Sequence, residues 1–404
     1  QLQYHTWDAE NTGVLSLWRY NFTGVSKVNG IIYQVEKSEL SADLKKKVEA
    51  ELRGLRAYYY YNLIDNFGNV PISTDFTTQV LPKNSPRTEV FNFIEKELKE
   101  VLSLLPTGIQ YGRFTQNVGY TLLARLYLNA EVYTGKPRWQ DCLDACDKVK
   151  GYSLTPNYKA NFAIKNETSP EIIFAIPYDH KQGTVGNYLA SMTYHYNQKY
   201  AFDPAGVYQW CGNGICAQPG LYSSFEANDV RRNSLLIGQQ YNAATGAEVL
   251  MDNGEPLNYT EDIQNFTKAA QNEGARLDKY EWSATDSWER DNDWVLMRYA
   301  EVLMMQAEAN YRLGYMQNAL TYINQIKKRA GLADLTSLDE DALDNEWKHE
   351  FVFEGLRRTT NIRFGTFFKA WWNKPADADK HTGVFPIPKV ETEKNGNLVQ
   401  NEGY

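Results

Sequence analysis

Apolar side chains recur every three or four residues in the stretch DWVLMRYAEVLMMQAEANYRLG, at positions such as Leu296, Leu303 and Tyr311. This spacing places them on one face of an α-helix, and no cluster of β-branched residues argues for a strand. The pattern pauses at Gly314 and then resumes. Because glycine accepts the left-handed backbone that ends a helix, we predict an antiparallel helix hairpin over Trp294–Gly331, similar to a tetratricopeptide unit.

The same spacing predicts further helices in the first 150 residues. Leu15, Trp18 and Phe22 start an apolar stripe, and Ser41 is placed to cap the helix after it, which the turn NFGNVP would end. The predicted helices are Thr12–Lys37, one from Ser41 to NFGNVP, Thr88–Leu105, Asn117–Tyr133 and Trp139–Val149. Consecutive helices of this set would pair as hairpins, but the hairpins do not recur with one fixed repeat length.

From Leu154 to Trp288 the helical periodicity fades, while Gly, Pro, Asn, Tyr and Trp become frequent. SPEIIFAIPYD is a strand candidate in this region. A long irregular insertion in a helical protein is unusual unless it has a function. We therefore predict a mostly α fold, in which a scaffold of helix hairpins packs against an irregular, loop-rich insertion with a few short strands. The expected parts of this single unit of residues 1–404 are N-terminal hairpins at 12–150, a ligand-binding insertion at 151–293, and a C-terminal hairpin with a tail at 294–404.

Composition narrows the class of function. The chain has 404 residues, a net charge of −8 and no basic block, so nucleic acid is an unfavourable partner. It has no run of about 18 apolar residues that would span a membrane. Its 28 tyrosines outnumber its 17 phenylalanines. Tyrosine combines an apolar face with a polar tip and suits half-wet surfaces that meet sugars or proteins.

The four cysteines give no metal motif. Cys142 and Cys146 lie four residues apart on one predicted helix, without further ligands nearby, and are expected to be small buried residues. Cys211 and Cys216 bracket a glycine-containing loop. They would form a small disulfide ring in an oxidising compartment, and the sequence leaves this open.

Candidate catalytic carboxylates are better explained as ion pairs. Glu350 and Glu354 lie four residues apart, which on a helix puts them on one face, whereas a glycosidase needs carboxylates on opposite sides of the bond. We interpret them as a network with Arg357, and we interpret Glu301 and Glu308 in the same way. The chain also lacks the common nucleophile, metalloprotease, phosphate-loop and dinucleotide motifs. The sequence therefore predicts no enzyme, no cofactor and no metal site.

A sugar site needs exposed aromatic rings flanked by polar side chains, because the C–H face of a pyranose packs on an aromatic plane while its hydroxyls are hydrogen-bonded at the rim. Three loop stretches have this mixture, around positions 4–11, 194–210 and 282–294. The candidate ligand-binding residues are Trp7, Asp8, Asn11, Tyr208, Trp210, Trp282, Trp288 and Arg290.

Several motifs in a fixed order resemble the SusD/RagB family of surface glycan-binding lipoproteins. The stretches RYAEVLMMQAEANYRLG and ALTYINQIKKRAGL resemble its C-terminal signature, and ELRGLRAYYYYNLIDNFGNVPI resembles its N-terminal half. PGLYSSFEANDVRRNSL, EFVFEGLRRTTNIRFG and VFPIPKVETEKNGNLVQNEGY follow the family order. The resemblance runs from about Trp18 to Tyr404. Asn361 and Arg358 depart from the family pattern, at positions where an acidic and an aromatic residue are usual.

The resemblance implies a SusD-like α-α superhelix and a non-catalytic role in glycan uptake. The protein would lie at the surface of the outer membrane, held by an N-terminal lipid anchor that is absent from this sequence. It would deliver oligo- or polysaccharide to a SusC-like TonB-dependent transporter, with the sugar platform formed by the first segment and the insertion.

The sequence leaves two other functions open. An α-helical toroid glycoside hydrolase has a similar length, acidity and aromatic content, and would need two carboxylates across an aromatic cleft. A peptide-binding tetratricopeptide-type scaffold would instead use its concave helix faces. That scaffold predicts that Trp282→Ala and Trp288→Ala leave ligand binding intact.

Overall fold

A computed structural model describes residues 1–182, 186–203, 210–282 and 290–404. Tyr208 and Trp288 lie outside these ranges. The helices are α1 Thr12–Lys37, α2 Ala42–Phe67, α3 Arg87–Val101, α4 Gln116–Leu128, α5 Ala130–Thr134, α6 Trp139–Cys146, α7 Lys199–Phe202, α8 Tyr299–Arg312, α9 Met316–Arg329, α10 Glu340–Glu350, α11 Arg357–Arg363 and α12 Lys389–Lys394. The strands are β1 Ile172–Ile176, β2 Leu235–Leu236, β3 Gly238–Gln239, β4 Asn258–Tyr259, β5 Arg276–Leu277 and β6 Trp294–Arg298.

Side-chain caps fix the first two helices where the sequence predicts them. The Asn11 carboxamide oxygen accepts hydrogen bonds from the N–H groups of Gly13 and Val14, at 3.0 and 3.1 Å, and so satisfies two of the free donors that begin α1. The Ser41 hydroxyl caps α2 in the same way. The predicted helix Thr12–Lys37 is confirmed.

The C-terminal hairpin is confirmed except at its start. Gly314 has a φ of 81°, the left-handed conformation expected between α8 and α9. However, the residues of β6, which we predicted to be helical, form a strand that pairs antiparallel with β1, so that Val295 lies opposite Ala175. The spacing of apolar residues within one stretch carries no information about a strand partner about 120 positions away. Pairing with β1 gives the backbone N–H and C=O groups of β6 their hydrogen-bond partners. The strand predicted in SPEIIFAIPYD is confirmed as β1.

Helix α8 lies in the centre of the scaffold and packs against α4, α6, α9 and β6. Its two predicted ion-pairing residues are both buried. Glu301 accepts two hydrogen bonds from Arg125 on α4, and Glu308 accepts two from Arg363 on α11. A buried carboxylate is tolerated only when it is paired in this way, so these pairs fix α8 against its neighbours.

The insertion is built mainly from turns, short 3-10 segments and the two-residue strand pairs β2–β5 and β3–β4. Two small apolar clusters, around Phe225 and Leu257, support it. Cys142 and Cys146 are buried, as predicted, and Cys211 and Cys216 are free thiols. Within the described ranges no helix combines the length and the apolarity needed to cross a bilayer.

A buried arginine–glutamate cluster joins the insertion to the C-terminal helices. Arg298, at the end of β6, donates to Glu171 at 2.7 Å, to Glu350 at 2.5 Å and to Glu354 at 2.7 Å. The other members of the cluster are Asp229, Arg231, Lys279, Arg329 and Glu346.

Two details of the predicted network of Glu350, Glu354 and Arg357 are wrong. Glu350 ends α10 and Glu354 lies beyond it, so the two carboxylates do not share a helix. Arg357 pairs with Asp344 instead and takes no part in the cluster. The fold brings arginines that are distant in sequence, such as Arg298, into contact with the two glutamates, and these pairs take the place of the predicted pair with Arg357.

Candidate functional site

In the predicted stretch around positions 4–11, Trp7 and Asn11 stabilise the fold. The indole N–H of Trp7 donates to the Tyr404 hydroxyl at 2.6 Å, and its ring packs edge-on against Phe385, leaving Trp7 6% exposed. Asn11 is occupied as the cap of α1, while Asp8 is exposed and accepts the N–H of Glu10. Trp7 therefore has no open face for a sugar and does not belong to the candidate site.

Two of the residues predicted from the insertion, Trp282 and Arg290, are in contact. Trp210 is 45% exposed. Trp282 is half-buried, with its ring 4.6 Å from that of Phe202 and the Arg290 guanidinium 3.8 Å above its centroid. Arg290 is itself buried and donates to the Ser191 hydroxyl at 2.8 Å. Arg290 thus supports Trp282 through a cation–π contact.

Gly212 leaves the space that the Trp210 side chain occupies. The Gly212 N–H donates to the carbonyl of Ser191 at 3.0 Å, which anchors this loop beside the segment that follows Tyr188. A Cβ at Gly212 would lie 2.8 Å from the Trp210 ring and 3.0 Å from the Met192 sulfur. Only glycine leaves room for both side chains.

Four further tyrosines, which we did not predict, extend this aromatic region, two of them on the helical scaffold and two in the insertion. Tyr20 on α1 is 57% exposed, and its ring lies 6.1 Å from that of Tyr59 on α2. The Tyr59 ring covers Gly24, where a Cβ would come within 2.4 Å of it. Tyr178 follows β1, and Tyr188, 46% exposed, precedes a 3-10 segment.

The buried carboxylate of Asp293 anchors the segment that carries Tyr178. It accepts the Tyr178 N–H at 2.7 Å and the Tyr111 hydroxyl at 2.5 Å, and burial raises the pKa of its carboxyl. The pKa of Tyr178 is raised by burial and then by its neighbours Tyr20 and Tyr188, so these three phenols lie close together. Tyr178 keeps its proton at neutral pH and can both donate and accept hydrogen bonds.

We call Tyr20, Tyr59, Tyr178, Tyr188, Trp210 and Trp282 the aromatic surface. Its two halves meet where the Asn187 N–H donates to the carbonyl of Arg290 at 2.8 Å. Ring faces with hydroxyl tips suit a ligand that presents C–H faces and hydroxyl groups. The sequence carried one signal for Tyr20, which falls outside the apolar stripe of α1. The contacts of Tyr178 and Tyr188 depend on distant segments and gave none.

The carboxylates of the arginine–glutamate cluster are unsuited to acid catalysis. Burial alone would raise the pKa of Glu350, but Arg329, Arg298 and Arg231 outweigh it and hold the pKa well below its usual value. The pKa of Glu354 is also lowered. A glycosidase acid needs the opposite shift. No group of three or more metal-ligating side chains occurs in the described ranges.

Comparison with known proteins identifies relatives along the whole chain. The model of the SusD family matches residues 170–404, and a model described as starch-binding associating with outer membrane matches residues 1–128. The starch-binding protein SusD of Bacteroides thetaiotaomicron is 28% identical over 96% of this chain and 78% of its own length.

Solved structures share the fold. A SusD superfamily protein of Parabacteroides distasonis aligns with a TM-score of 0.79 at 20% identity, over 98% of this chain and 87% of that chain. Surface glycan-binding protein A of Bacteroides thetaiotaomicron, in complex with laminarihexaose, gives 0.74 at 23% identity, over 95% and 85%. The predicted mostly α architecture of helix hairpins with a loop-rich insertion is confirmed.

Proposed function

This chain belongs to the SusD family, and from that premise we propose that it binds an oligo- or polysaccharide on the aromatic surface without cleaving it. One observation carries the proposal: Tyr20, Tyr188 and Trp210 are 57%, 46% and 45% exposed, and Tyr20 and Tyr188 both lie beside Tyr178. Large exposed aromatic side chains that cluster mark binding sites, because their exposure is unfavourable in the absence of a ligand.

The chemistry of the surface fits this ligand. Ring faces pack against the C–H faces of sugars, and the phenol groups of Tyr20, Tyr178 and Tyr188 exchange hydrogen bonds with sugar hydroxyls. Each such contact is weak in water, so affinity grows when one extended chain engages several rings at once. An extended glycan is therefore a better ligand than a single sugar.

The similar proteins support carbohydrate as the ligand class. One is described as starch-binding, and another was solved with laminarihexaose. Non-cleavage is supported by the chemistry of this chain, since Glu350 and Glu354 are held ionised by arginines and lie in the cluster rather than on the aromatic surface.

The protein would be lipid-anchored at the outer-membrane surface and would pass its glycan to a SusC-like TonB-dependent transporter. The family model that names association with the outer membrane supports the location. Co-purification of a TonB-dependent transporter with the tagged protein from detergent-solubilised membranes tests the partner, and its absence from cross-linked membranes would count against it.

Native gels cast with plant, host and fungal polysaccharides test the function. We expect at least one polysaccharide to retard the wild-type protein, while an assay for reducing ends finds no product. New reducing ends would contradict the non-catalytic proposal and favour the glycoside hydrolase. Unretarded migration on every gel, together with binding to a peptide library, would favour the peptide-binding scaffold.

A further inference from the structure

A cavity of about 610 Å³ lies between α10, α11 and the loop at residues 218–221. None of its lining residues belongs to the aromatic surface, so it is a separate feature. One wall is apolar and aromatic, formed by Leu221, Trp347, Phe351 and Trp371. Its volume is in the range of small-molecule sites, which are mostly apolar with a few polar groups that orient the ligand.

Cations outnumber carboxylates among the residues that line the cavity. Lys348 is half-buried and donates to the Asn345 carboxamide oxygen at 2.7 Å. Asp344, whose charge also reaches Lys348, accepts two hydrogen bonds from Arg357. Lys369 also lines the cavity. Among the described residues no carboxylate forms an ion pair with Lys348 or with Lys369.

Burial followed by the nearby Arg357 lowers the pKa of Lys348, because both disfavour its charged form. An anion placed between Lys348 and Lys369 would stabilise the charged form of Lys348 and so oppose this effect. The rest of the chain is acidic overall, with a net charge of −8, so a site for an anion must be built locally.

The apolar wall of the cavity includes one residue with a strained backbone. Phe353, on the same wall, has a φ of 63°, an unfavourable conformation for a bulky residue. The Lys279 ammonium holds this turn by donating to the carbonyl of Val352 at 2.7 Å. Strain that is held in place by surrounding contacts is typical of ligand sites.

We infer that this cavity binds a small amphipathic carboxylate, whose apolar body packs against Trp347, Phe351 and Leu221 while its carboxylate pairs with Lys348 and Lys369. The apolar wall favours an aryl or alkyl body over a sugar ring with its many hydroxyls. The surplus of cations selects an anionic head over a neutral or a cationic one.

Three probes with one apolar body test the inference: 4-phenylbutyrate, 4-phenylbutan-1-ol and 4-phenylbutylamine. Binding to the full chain is measured by isothermal titration calorimetry at pH 7 and low salt. We expect saturable binding of the acid, about tenfold weaker binding of the alcohol, and no binding of the amine, since a charge-assisted hydrogen bond changes affinity by roughly this factor. Equal binding of acid and alcohol, or no binding of the acid, would overturn the inference.

Variants locate the site. Lys348→Gln with Lys369→Gln is expected to weaken binding of 4-phenylbutyrate at least about tenfold, and Ala370→Phe, which places a ring on the cavity wall, is expected to abolish it. The control is Lys46→Gln with Lys136→Gln, which removes two exposed charges elsewhere and should bind like the wild type. Circular dichroism confirms folding of each variant. Unchanged affinity in the first two variants would overturn the assignment to this cavity.

Discussion

At Glu350 one buried carboxylate meets the guanidinium groups of Arg231, Arg298 and Arg329. Desolvation of the carboxylate is unfavourable, and the three cations more than compensate for it, which is why the pKa of Glu350 lies well below its usual value. The same residues join β6, α9 and α10 to the insertion. Pairs of this kind are costly to break from one side, because the remaining charges stay buried without compensation.

We predict that Glu350→Gln lowers the free energy of unfolding by about 3–5 kcal/mol, because it leaves three buried arginines with one fewer carboxylate. Urea denaturation followed by circular dichroism measures the change. The matched control is Glu36→Gln on the exposed face of α1, which should stay within about 0.5 kcal/mol of the wild type. A Glu350→Gln protein as stable as this control would show that the cluster contributes little.

The same lowered pKa values predict how stability depends on pH. Glu308, Glu350 and Glu354 all have folded-state pKa values below the usual 4.5, so the unfolded chain binds protons at a higher pH than the folded one. Their contribution is complete above about pH 4.5 and is lost as the pH falls further, through the folded-state values. Urea midpoints at pH 7.0, 5.5 and 3.5 should therefore agree at the first two values and drop at the third. A midpoint that holds at pH 3.5 would contradict this linkage.

The surroundings of single site residues were the least predictable from the sequence. Trp7 stands in a polar loop, yet Phe385 and Tyr404, nearly four hundred positions away, enclose it. The residues next to Trp7 in the sequence give no information about partners so far along the chain. Tyr20 shows the reverse case, because it lies on a helix but outside the apolar stripe, and its exposure follows from the helical period alone.

At the scale of elements, two helical glycines let helices and rings approach closely. Gly54 on α2 lies beneath the ring of Phe114, where a Cβ would come within 2.3 Å, and Gly24 on α1 lies beneath Tyr59. The two sites differ in their freedom to adjust. Phe114 is 2% exposed, whereas Tyr59 is half-buried at the edge of the aromatic surface.

We predict that Gly54→Ala destabilises the protein by about 1–3 kcal/mol, because the methyl group overpacks a filled core. This loss opposes the gain of about 1 kcal/mol that alanine brings to a helix. Gly24→Ala is the matched comparison and should cost less, since the Tyr59 ring can shift towards solvent. Thermal unfolding measures both variants. If Gly54→Ala is as stable as Gly24→Ala or more so, the close packing of α2 against Phe114 is contradicted.

The elements themselves were largely predictable. The Ser41 cap and the glycine Gly314 carry local signals that fix helix ends, and the structure places those ends as expected. Asn11, which we predicted to bind ligand, caps α1 instead. Strand β6 was missed because a short apolar run fits a helix or a strand equally well, and its pairing with β1 is not local.

At the scale of the whole molecule, the aromatic surface is assembled from separate parts of the chain. Tyr20 and Tyr59 come from the first two helices, Tyr178 follows β1, and Trp210 and Trp282 belong to the insertion. The motifs that resemble the SusD/RagB family predicted the architecture, since they mark helix pairs and turns whose packing is shared. They did not predict the surface, because its residues lie mostly in segments where sequence and backbone are irregular.

Isothermal titration calorimetry with the oligosaccharide of the most strongly retarding glycan tests whether the ligand binds on the aromatic surface. The proteins compared are the wild type, Tyr188→Ala, Trp210→Ala and the control Tyr315→Ala, whose tyrosine is 53% exposed at the α8–α9 turn. We predict that each of the first two substitutions weakens binding about tenfold, while Tyr315→Ala binds like the wild type. Wild-type affinity in both Tyr188→Ala and Trp210→Ala would contradict binding on the aromatic surface.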